Sequence, residues 1–540
     1  MATFEIPANE PTLSYAPGSP ERRRLQRALT AAREAAPRDL PMHIGGRSVE
    51  GAAGTLPVRA PHQHSLELGR AGQATVADVK AAVDVALKAG REWSHTTLEE
   101  RASVILRAAE LLSGPWRDRM NAATILGQSK SVYQAEIDAA CELIDFWRFN
   151  VHFAFRLRED QPLSSKGVWN RTELRPLEGF VVAITPFNFT SIAGNLPTAP
   201  VLMGNVVVWK PSVTSMLAAS AIMELLEEAG LPPGVINMVT GHGAGVLDAA
   251  ISHPSLAGIH FTGSTDTFRG LWQEVAGSLG SYRTYPRLVG ETGGKDFVIA
   301  HESASPEALL VGLLRGAFEY QGQKCSAASR AYVPRRLWEE LRRPLARETE
   351  AISMGDPADF SNFMGAVIDE RAFRKHEAAL RAAAKDPALH LVAGGECDDS
   401  TGWFVRPTII ASDDPHHDLM ERELFGPILT VHPYDCDWET ALQLVDETSP
   451  YGLTGAVFAT ERRAIETAMR VLRHAAGNFY VNDKPTGAVV GQQPFGGARQ
   501  SGTNDKAGSA LNLLRWASAR SIKENLVPAT EWRYPHMDPD

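Results

Sequence analysis

The sequence predicts an α/β protein built on mostly parallel sheets, and two observations carry that reading. From about residue 180, short apolar runs recur at Phe180–Ile184, Val206–Trp209, Ile236–Val239 and Ile259–Phe261, with helical segments such as 214–229 between them. Buried strands alternating with helices are the pattern of βαβ units. Each run also ends in a polar or glycine-containing turn: Thr185-Pro186, Lys210-Pro211-Ser212, Thr240-Gly241 and Thr262-Gly263-Ser264. Open parallel sheets bind ligands beyond the carboxyl ends of their strands, so these turns are where a cofactor is expected.

Taken in order, the chain starts with a Pro-rich stretch and a charged helical segment near 20–36. Thr75-Val76-Ala77-Asp78 has the form of a capping box, with Val79, Val83 and Ala86 on one face and a stop expected near Gly90. Thr97-Leu98-Glu99-Glu100 is a second box, followed by an apolar stripe of Ala102, Ile105, Leu106, Ala109 and Leu112 that ends at Gly114. The parallel-strand region follows. A second α/β region has expected strands at Phe297–Ala300, Ala331–Val333, Gly455–Ala459 and Asn478–Val481. The tail, 521–540, is polar with Trp532 and Tyr534, and reads as a free end suited to a partner subunit.

The composition is that of a globular enzyme: 540 residues, 44% hydrophobic and 22% charged, with a net charge of −10. The acidic balance argues against a nucleic-acid or anionic-membrane partner. The dense basic cluster Arg22-Arg23-Arg24, beside Glu21, reads as a solvated helix end. Cys141, Cys325, Cys397 and Cys436 are far apart and show no metal-binding spacing, so no metal is expected and a reducing compartment fits. Met1-Ala2-Thr3-Phe4-Glu5 lacks the features of a signal or transit peptide, and no apolar run approaches the roughly 18 residues of a membrane span. The expected address is the cytoplasm.

Single motifs are ambiguous. Gly241-His242-Gly243-Ala244-Gly245 has the wrong spacing for a GxGxxG diphosphate loop, so any dinucleotide must be held differently. Phe261-Thr262-Gly263-Ser264 stands before a helical segment, 265–278, where a serine either caps the helix or helps hold a phosphate. Gly322-Gln323-Lys324-Cys325-Ser326-Ala327 sets a cysteine beside a lysine that could lower its pKa. A lone cysteine is otherwise a small buried hydrophobe. Glu291-Thr292-Gly293-Gly294-Lys295 alone is a turn with a solvated glutamate.

Their order removes the ambiguity. Thr185-Pro186-Phe187-Asn188-Phe189, Trp209-Lys210-Pro211-Ser212, Phe261–Ser264, Glu291–Lys295, Gly322–Ala327, Glu423-Leu424-Phe425-Gly426-Pro427 and Pro494-Phe495-Gly496-Gly497 occur in succession. Together they resemble the aldehyde dehydrogenase superfamily, over roughly 40–520. The resemblance implies an α/β, aldehyde-dehydrogenase-like fold with a Rossmann-like cofactor domain, an α/β catalytic domain and a small oligomerisation segment. The implied divisions are 1–160 with 182–289 for the cofactor, 290–515 for catalysis, and 161–181 with 516–540 for oligomerisation. Ala135–Ala140, Phe318-Glu319-Tyr320, Thr486–Arg499 and Ser501–Lys506 resemble the branch of that superfamily that acts on L-glutamate γ-semialdehyde.

The resemblance assigns roles residue by residue. Cys325 matches the nucleophile, Asn188 the amide that holds the oxyanion, and Glu291 the general base. CoA-acylating relatives generally lack that carboxylate, so its presence implies a free acid product. Lys210, Ser212, Thr185, Pro186, Gly263, Ser264, Glu423 and Phe425 match the NAD(P) site. Val213 stands where many NAD-preferring relatives carry an acid, so NADP use is also possible. For the substrate, Gly487, Ala488 and Ser326 match the groups that bind an α-carboxylate, Phe189 and Phe495 those that sandwich the aliphatic part, and Glu142 and Lys324 the outer polar contacts. A lone helix-surface glutamate such as Glu142 is otherwise solvated. The implied activity is oxidation of L-glutamate γ-semialdehyde to L-glutamate, the last step of proline catabolism, in a homodimer or higher homo-oligomer. A succinic or aminoadipic semialdehyde dehydrogenase, a CoA-acylating enzyme and a non-catalytic relative remain as alternatives.

Overall fold

The computed structural model describes residues 5–242 and 245–539. Gly243 and Ala244, within the glycine-rich turn considered above, and Met1–Phe4 lie outside the described residues.

The first large sheet has seven strands in the order Arg287–Glu291, Leu256–Thr262, Phe180–Ile184, Val206–Lys210, Ile236–Met238, Met42–Ile44 and Arg47–Val49. The first five are parallel and the last two antiparallel. Val206–Lys210 is buried along its whole length, which is why it reads as a continuous apolar run rather than an alternating one. The chain passes from Phe180–Ile184 outward to Ile236–Met238, then crosses back to place Leu256–Thr262 on the other side of Phe180–Ile184. That reversal is a topological switch point, and a crevice opens at the carboxyl ends of the two strands. Thr185, Pro186, Gly263 and Ser264 follow those ends directly.

The second large sheet runs Leu389–Ala393, Thr408–Ser412, Ile428–Tyr434, Ala328–Pro334, Asp296–Ala300, Thr454–Phe458 and Asn478–Val481. All neighbours are parallel except the first pair. Val298 and Ala300 enter one apolar cluster while Phe297 and Ile299 enter another. Alternate residues of one central strand thus feed cores on opposite faces. Thr408–Ser412, Ile428–Tyr434 and Arg287–Glu291 escaped the sequence reading.

Val168–Arg175 and Ser518–Asn525 form a two-stranded antiparallel ribbon, with Ser518 opposite Arg175 and Asn525 opposite Val168. The start of the expected free tail is therefore a paired strand. Both strands alternate without a strongly apolar face, so neither gave a strand signal. Trp532 and Tyr534, beyond the ribbon, are exposed.

The two capping boxes are present, with Thr75 and Asp78 bonded reciprocally and Thr97 and Glu100 likewise. The first helix, Val76–Trp93, does not stop at Gly90. A Cβ there would lie 3.2 Å from Val206 Cγ2, so this glycine allows close approach of the helix to the sheet. Gly114 does end the helix Leu98–Ser113. The arginine cluster is more than a solvated helix end: Arg22 donates to the Tyr15 carbonyl and lies 4.8 Å over the Phe360 ring, and Arg24 pairs with Asp118. Among the described residues no helix is long and apolar enough to cross a membrane.

Candidate active site

The helix Pro306–Phe318 ends in a tight turn, Glu319–Gly322, that delivers Cys325 to the start of the strand Ala328–Pro334. Tyr320 and Gln321 both have positive φ (52° and 55°), a conformation that persists only when its surroundings enforce it. Gln321 Nε2 supplies part of that enforcement by donating to the carbonyls of Ser129 (2.9 Å) and Ala366 (2.7 Å). At Gly322, with φ +65°, a Cβ would lie 2.3 Å from the Gly426 carbonyl oxygen. The turn before Cys325 and the Glu423–Pro427 segment are thus in close backbone approach.

Asn188 Nδ2 donates to the Gln323 carbonyl at 3.0 Å, which sets its amide against the backbone just before Cys325. An amide has two N–H groups, so one remains for a second acceptor. Glu291 ends the strand Arg287–Glu291, and its Oε2 accepts the Gly497 N–H at 3.1 Å. Burial raises its pKa well above the carboxylate range and Asp505 adds to this, while the Gly497 N–H and Lys506 oppose it. Glu423 accepts the Gly294 N–H at 3.0 Å. A Cβ on Gly293 would fall 2.2 Å from Glu423 Oε2, so this glycine makes room for that carboxylate, while one on Gly294 would lie 2.4 Å from the Cys325 carbonyl oxygen.

Burial pushes the Cys325 thiol well above its ordinary pKa, and Asp296, Glu423 and Glu291 push it further. This corrects the expectation for Lys324. Its ammonium turns away from the thiol, donating to Gln134 Oε1 and standing 3.6 Å from Asp138 and 3.7 Å from Glu319. The lysine beside the cysteine in sequence belongs to a different cluster in space.

That cluster holds Glu142, which is not a solvated surface residue. Its Oε2 accepts the Ser191 hydroxyl at 2.6 Å, and burial together with Asp138 pushes its pKa up to about 8. Lys130 pairs with Asp138 at 2.7 Å and lies 4.2 Å over the Phe189 ring; burial lowers its pKa to about 8. Lys484 pairs with Glu319 at 2.8 Å. Sequence reasoning missed Lys130, Asp138 and Lys484, since charges scattered from 130 to 484 carry no local pattern. Lys506, whose Nζ donates to the carbonyls of Gly477 (2.8 Å) and Gly496 (3.0 Å), was also missed as a neighbour of Glu291.

Ser326 shares a hydrogen bond with Thr486 (Oγ···Oγ1 2.8 Å), which brings it beside Gly487 and Ala488. Gly487 has φ +94°, a conformation that suits glycine. Phe495 is held by two backbone hydrogen bonds to Ala507.

On the other side, Lys210 ends its strand as a nearly buried ammonium. Burial lowers its pKa to about 8, and among the described residues no carboxylate offsets that burial. Thr185 Oγ1 accepts the Trp209 indole N–H at 3.0 Å, and Ser212 bonds Thr214 at 3.0 Å. Pro186 follows Thr185 at the strand end. Ser264 caps the helix Thr265–Gly277 by accepting the Thr267 N–H at 3.2 Å. Phe425, at φ 58°, meets Phe187 edge-on at 5.9 Å. An unpaired buried cation, a capped helix N-terminus and the switch-point crevice fit a dinucleotide. A separate cleft of about 860 Å³, lined by His62, Asp356 and Cys397 among others, shares no residue with this site.

Residues 48–521 match the aldehyde dehydrogenase family. The chain is 50% identical over 534 residues to the mitochondrial Delta-1-pyrroline-5-carboxylate dehydrogenase of Mus musculus, covering 98% of this chain and 94% of that protein. It is 48% identical over 544 residues to the protein of the same name in Dictyostelium discoideum, covering 100% and 97%. A solved structure of the Delta-pyrroline-5-carboxylate dehydrogenase from Mycobacterium tuberculosis bound with NAD superposes with a TM-score of 0.96 at 58% identity, covering 100% and 99%. The mouse and Dictyostelium proteins are named as mitochondrial, which overturns the expected cytoplasmic address.

Proposed function

The chain belongs to the aldehyde dehydrogenase family, and from that premise we propose that it oxidises L-glutamate γ-semialdehyde, the open form of Δ1-pyrroline-5-carboxylate, to L-glutamate with NAD, the last step of proline catabolism. Half-identity over nearly the full length to enzymes named for that substrate is the observation that carries this reading.

Cys325 sulfur adds to the aldehyde carbon, the C=O π pair moves to oxygen and the thiol proton passes to solvent water, giving a thiohemiacetal. Its own backbone N–H and the free N–H of Asn188 hold the oxygen on which charge develops. NAD, when bound, supplies the hydride acceptor that lets the thiohemiacetal become a thioester. Lys210 and Glu423 would hold its two riboses, and Gly263 and Ser264 its diphosphate. Glu291 then takes a proton from water, which attacks the thioester and releases the acid and the thiol. A carboxylate with a raised pKa suits this base role, because proton affinity near the working pH favours general-base catalysis. The backbone N–H groups of Gly487 and Ala488 and the Ser326 hydroxyl receive the substrate α-carboxylate, with Phe189 and Phe495 on either side of the chain. Glu142 and Lys324 complete the polar end of that pocket.

The cofactor unit comprises 1–160 and 182–289, and the catalytic unit 290–515. Leu513, at the end of the catalytic unit, and Trp516, at the start of the last segment, pack into the apolar core of the first large sheet with Phe180 and Ile259. The segments 161–181 and 516–540 assemble a homo-oligomer. Support comes from the projecting ribbon, with Trp169, Leu526 and Val527 exposed.

The test is NADH formation across glutamate, succinic and aminoadipic semialdehydes and an aliphatic aldehyde. A site built to hydrogen-bond a substrate group rejects an analogue lacking it by roughly 10⁴-fold. The glutamate semialdehyde should lead in kcat/KM by a margin of that order over the aliphatic aldehyde. A ratio near one removes the substrate assignment, and a clear lead for another semialdehyde replaces it.

A further inference from the structure

The segment before the first helix, 5–19, lies across the molecule without regular structure, yet it is tied down by charged and polar contacts. Glu10 receives Arg117 and Arg148, each at 2.6 Å, and its backbone N–H donates to Asp145 Oδ1 at 2.8 Å. Tyr15 donates its hydroxyl to the buried Glu136 at 2.8 Å. These bonds anchor the strap to the helical layer. They leave Asn9 at a point where three parts of the chain meet.

Asn9 Nδ2 donates to Asp145 Oδ2 and to the Val490 carbonyl, both at 2.8 Å, and Asn9 Oδ1 accepts from Gln492 Nε2 at 2.9 Å. Both amide protons and the amide oxygen are therefore used. Asp145 and Val490 are both acceptors facing the same nitrogen, so the orientation of the amide is fixed by its partners. Asp145 belongs to the helix Glu142–Glu159, three residues from Glu142. Val490 and Gln492 belong to the loop that carries Gly487 and Ala488. That loop rests on the same helix: Val490 packs with Phe146 and Phe149, and a Cβ on Gly491 would meet the Phe149 ring at 2.3 Å. The apolar contacts set the height of the loop above the helix. Directional bonds are needed to set its register.

We propose that Asn9 is a positioning residue for substrate recognition: the N-terminal strap locks the 486–493 loop to the Glu142-bearing helix and so fixes the distance between the backbone donors of Gly487 and Ala488 and the polar end of the pocket. The inference rests on the substrate-carboxylate reading above. It extends that reading to a segment that touches neither substrate nor cofactor. Without the bridge the loop keeps its apolar seat but gains freedom along the helix, so the carboxylate donors are no longer held in place before substrate arrives.

Asn9→Leu removes the three hydrogen bonds, and Gln492→Leu removes one of the two loop-side bonds while the Val490 carbonyl keeps the other. For Asn9→Leu, KM for L-glutamate γ-semialdehyde and Ki for L-glutamate should rise roughly 3- to 10-fold, the weight of one to two neutral hydrogen bonds. The rate constant kcat, NAD affinity by titration, and kcat/KM for an aliphatic aldehyde without an α-carboxylate should stay within about twofold. Gln492→Leu should move the same two constants in the same direction by a smaller factor. A merely structural strap would lower both substrates together or shift only the melting temperature, and either result overturns the proposal, as does an unchanged KM and Ki in the two variants. If Asn9→Leu does not fold, Gln492→Leu decides by the same criteria. Failure of the substrate assignment itself shows separately, in wild-type protein that does not prefer the carboxylate-bearing aldehyde.

Discussion

Glu291 and Cys325 meet opposite demands at one small site. Burial and neighbouring carboxylates raise the pKa of the thiol, while burial raises that of Glu291, the direction its proposed base role requires. Glu291→Gln keeps the Gly497 contact and loses the base. The variant should release about one NADH per active site in a burst, then turn over on the order of 10²–10⁴-fold slower, as seen by rapid mixing. Because the folded pKa of Glu291 is raised, the wild-type rate should climb with pH above the ordinary carboxylate range, and the variant's slow hydrolysis should lack that limb. The sign for stability is the reverse: this carboxyl's contribution is fully present below its unfolded pKa and is lost as pH rises through its folded pKa. Val213 makes the second test at this scale. It sits half-buried at the start of the turn Val213–Ser215, three residues after Lys210, and brings no carboxylate of its own to oppose a 2′-phosphate. Wild-type protein should use NADP measurably, and Val213→Glu should lower kcat/KM for NADP more than for NAD through like-charge repulsion. Inert NADP in the wild type would place the discrimination elsewhere.

The elements that carry function are the ends of strands and the turns after them. Phe180–Ile184 and Leu256–Thr262 flank the switch point, and Glu291 ends the strand beside them. Hydrophobic runs announced the first two in sequence, whereas the Arg287–Glu291 strand escaped it and the strained Tyr320–Gly322 turn has no sequence signal that separates it from a helix end. The ribbon is the clearest case of an element that exists only through pairing. Val168–Arg175 is mostly half-buried and Ser518–Asn525 mostly exposed, both are polar, and neither would hold its shape alone. On the proposed homo-oligomer, truncation after Ala517 should leave Val168–Arg175 without its partner and give a smaller species by light scattering, while NAD still binds. An unchanged assembly in the truncated protein would assign association to another surface.

At the scale of the whole molecule, burial sets the charge of His62, His260 and His376. Burial lowers His62 and His260 to about 4 and His376 to about 3. Their folded pKa values lie below the unfolded value of about 6.5, so the stability they contribute is present above that pH and is lost as pH falls toward 4. His62 and His260 each stand for about 3 kcal/mol of that loss. The urea midpoint should fall steeply between those limits. His62→Gln should make the slope shallower by close to one proton; an unaltered slope would show that His62 is charged in the folded state.

What the sequence determined by itself is what local chemistry encodes. The alternation of apolar runs with helical segments specifies parallel sheets, Thr75 and Thr97 specify helix starts, and the order of seven motifs specifies the family. Tertiary structure decided what depends on distance between remote residues. Lys324 neighbours Cys325 in the chain, but its ammonium is drawn to Asp138 and Glu319, because a buried cation must find anions wherever the fold supplies them. Glu142 reads as a surface residue until Ser191 and Asp138 close over it. Gly90 looks like a helix stop until Val206 is seen to require its missing side chain. Asn9 lies in Ala8-Asn9-Glu10-Pro11, a stretch that resembles the γ-semialdehyde branch, yet nothing local says what it holds; that comes from Asp145 and Val490, which lie 136 and 481 positions away. Side-chain periodicity is a property of neighbours along the chain, whereas charge pairing, desolvation and close approach are properties of neighbours in space.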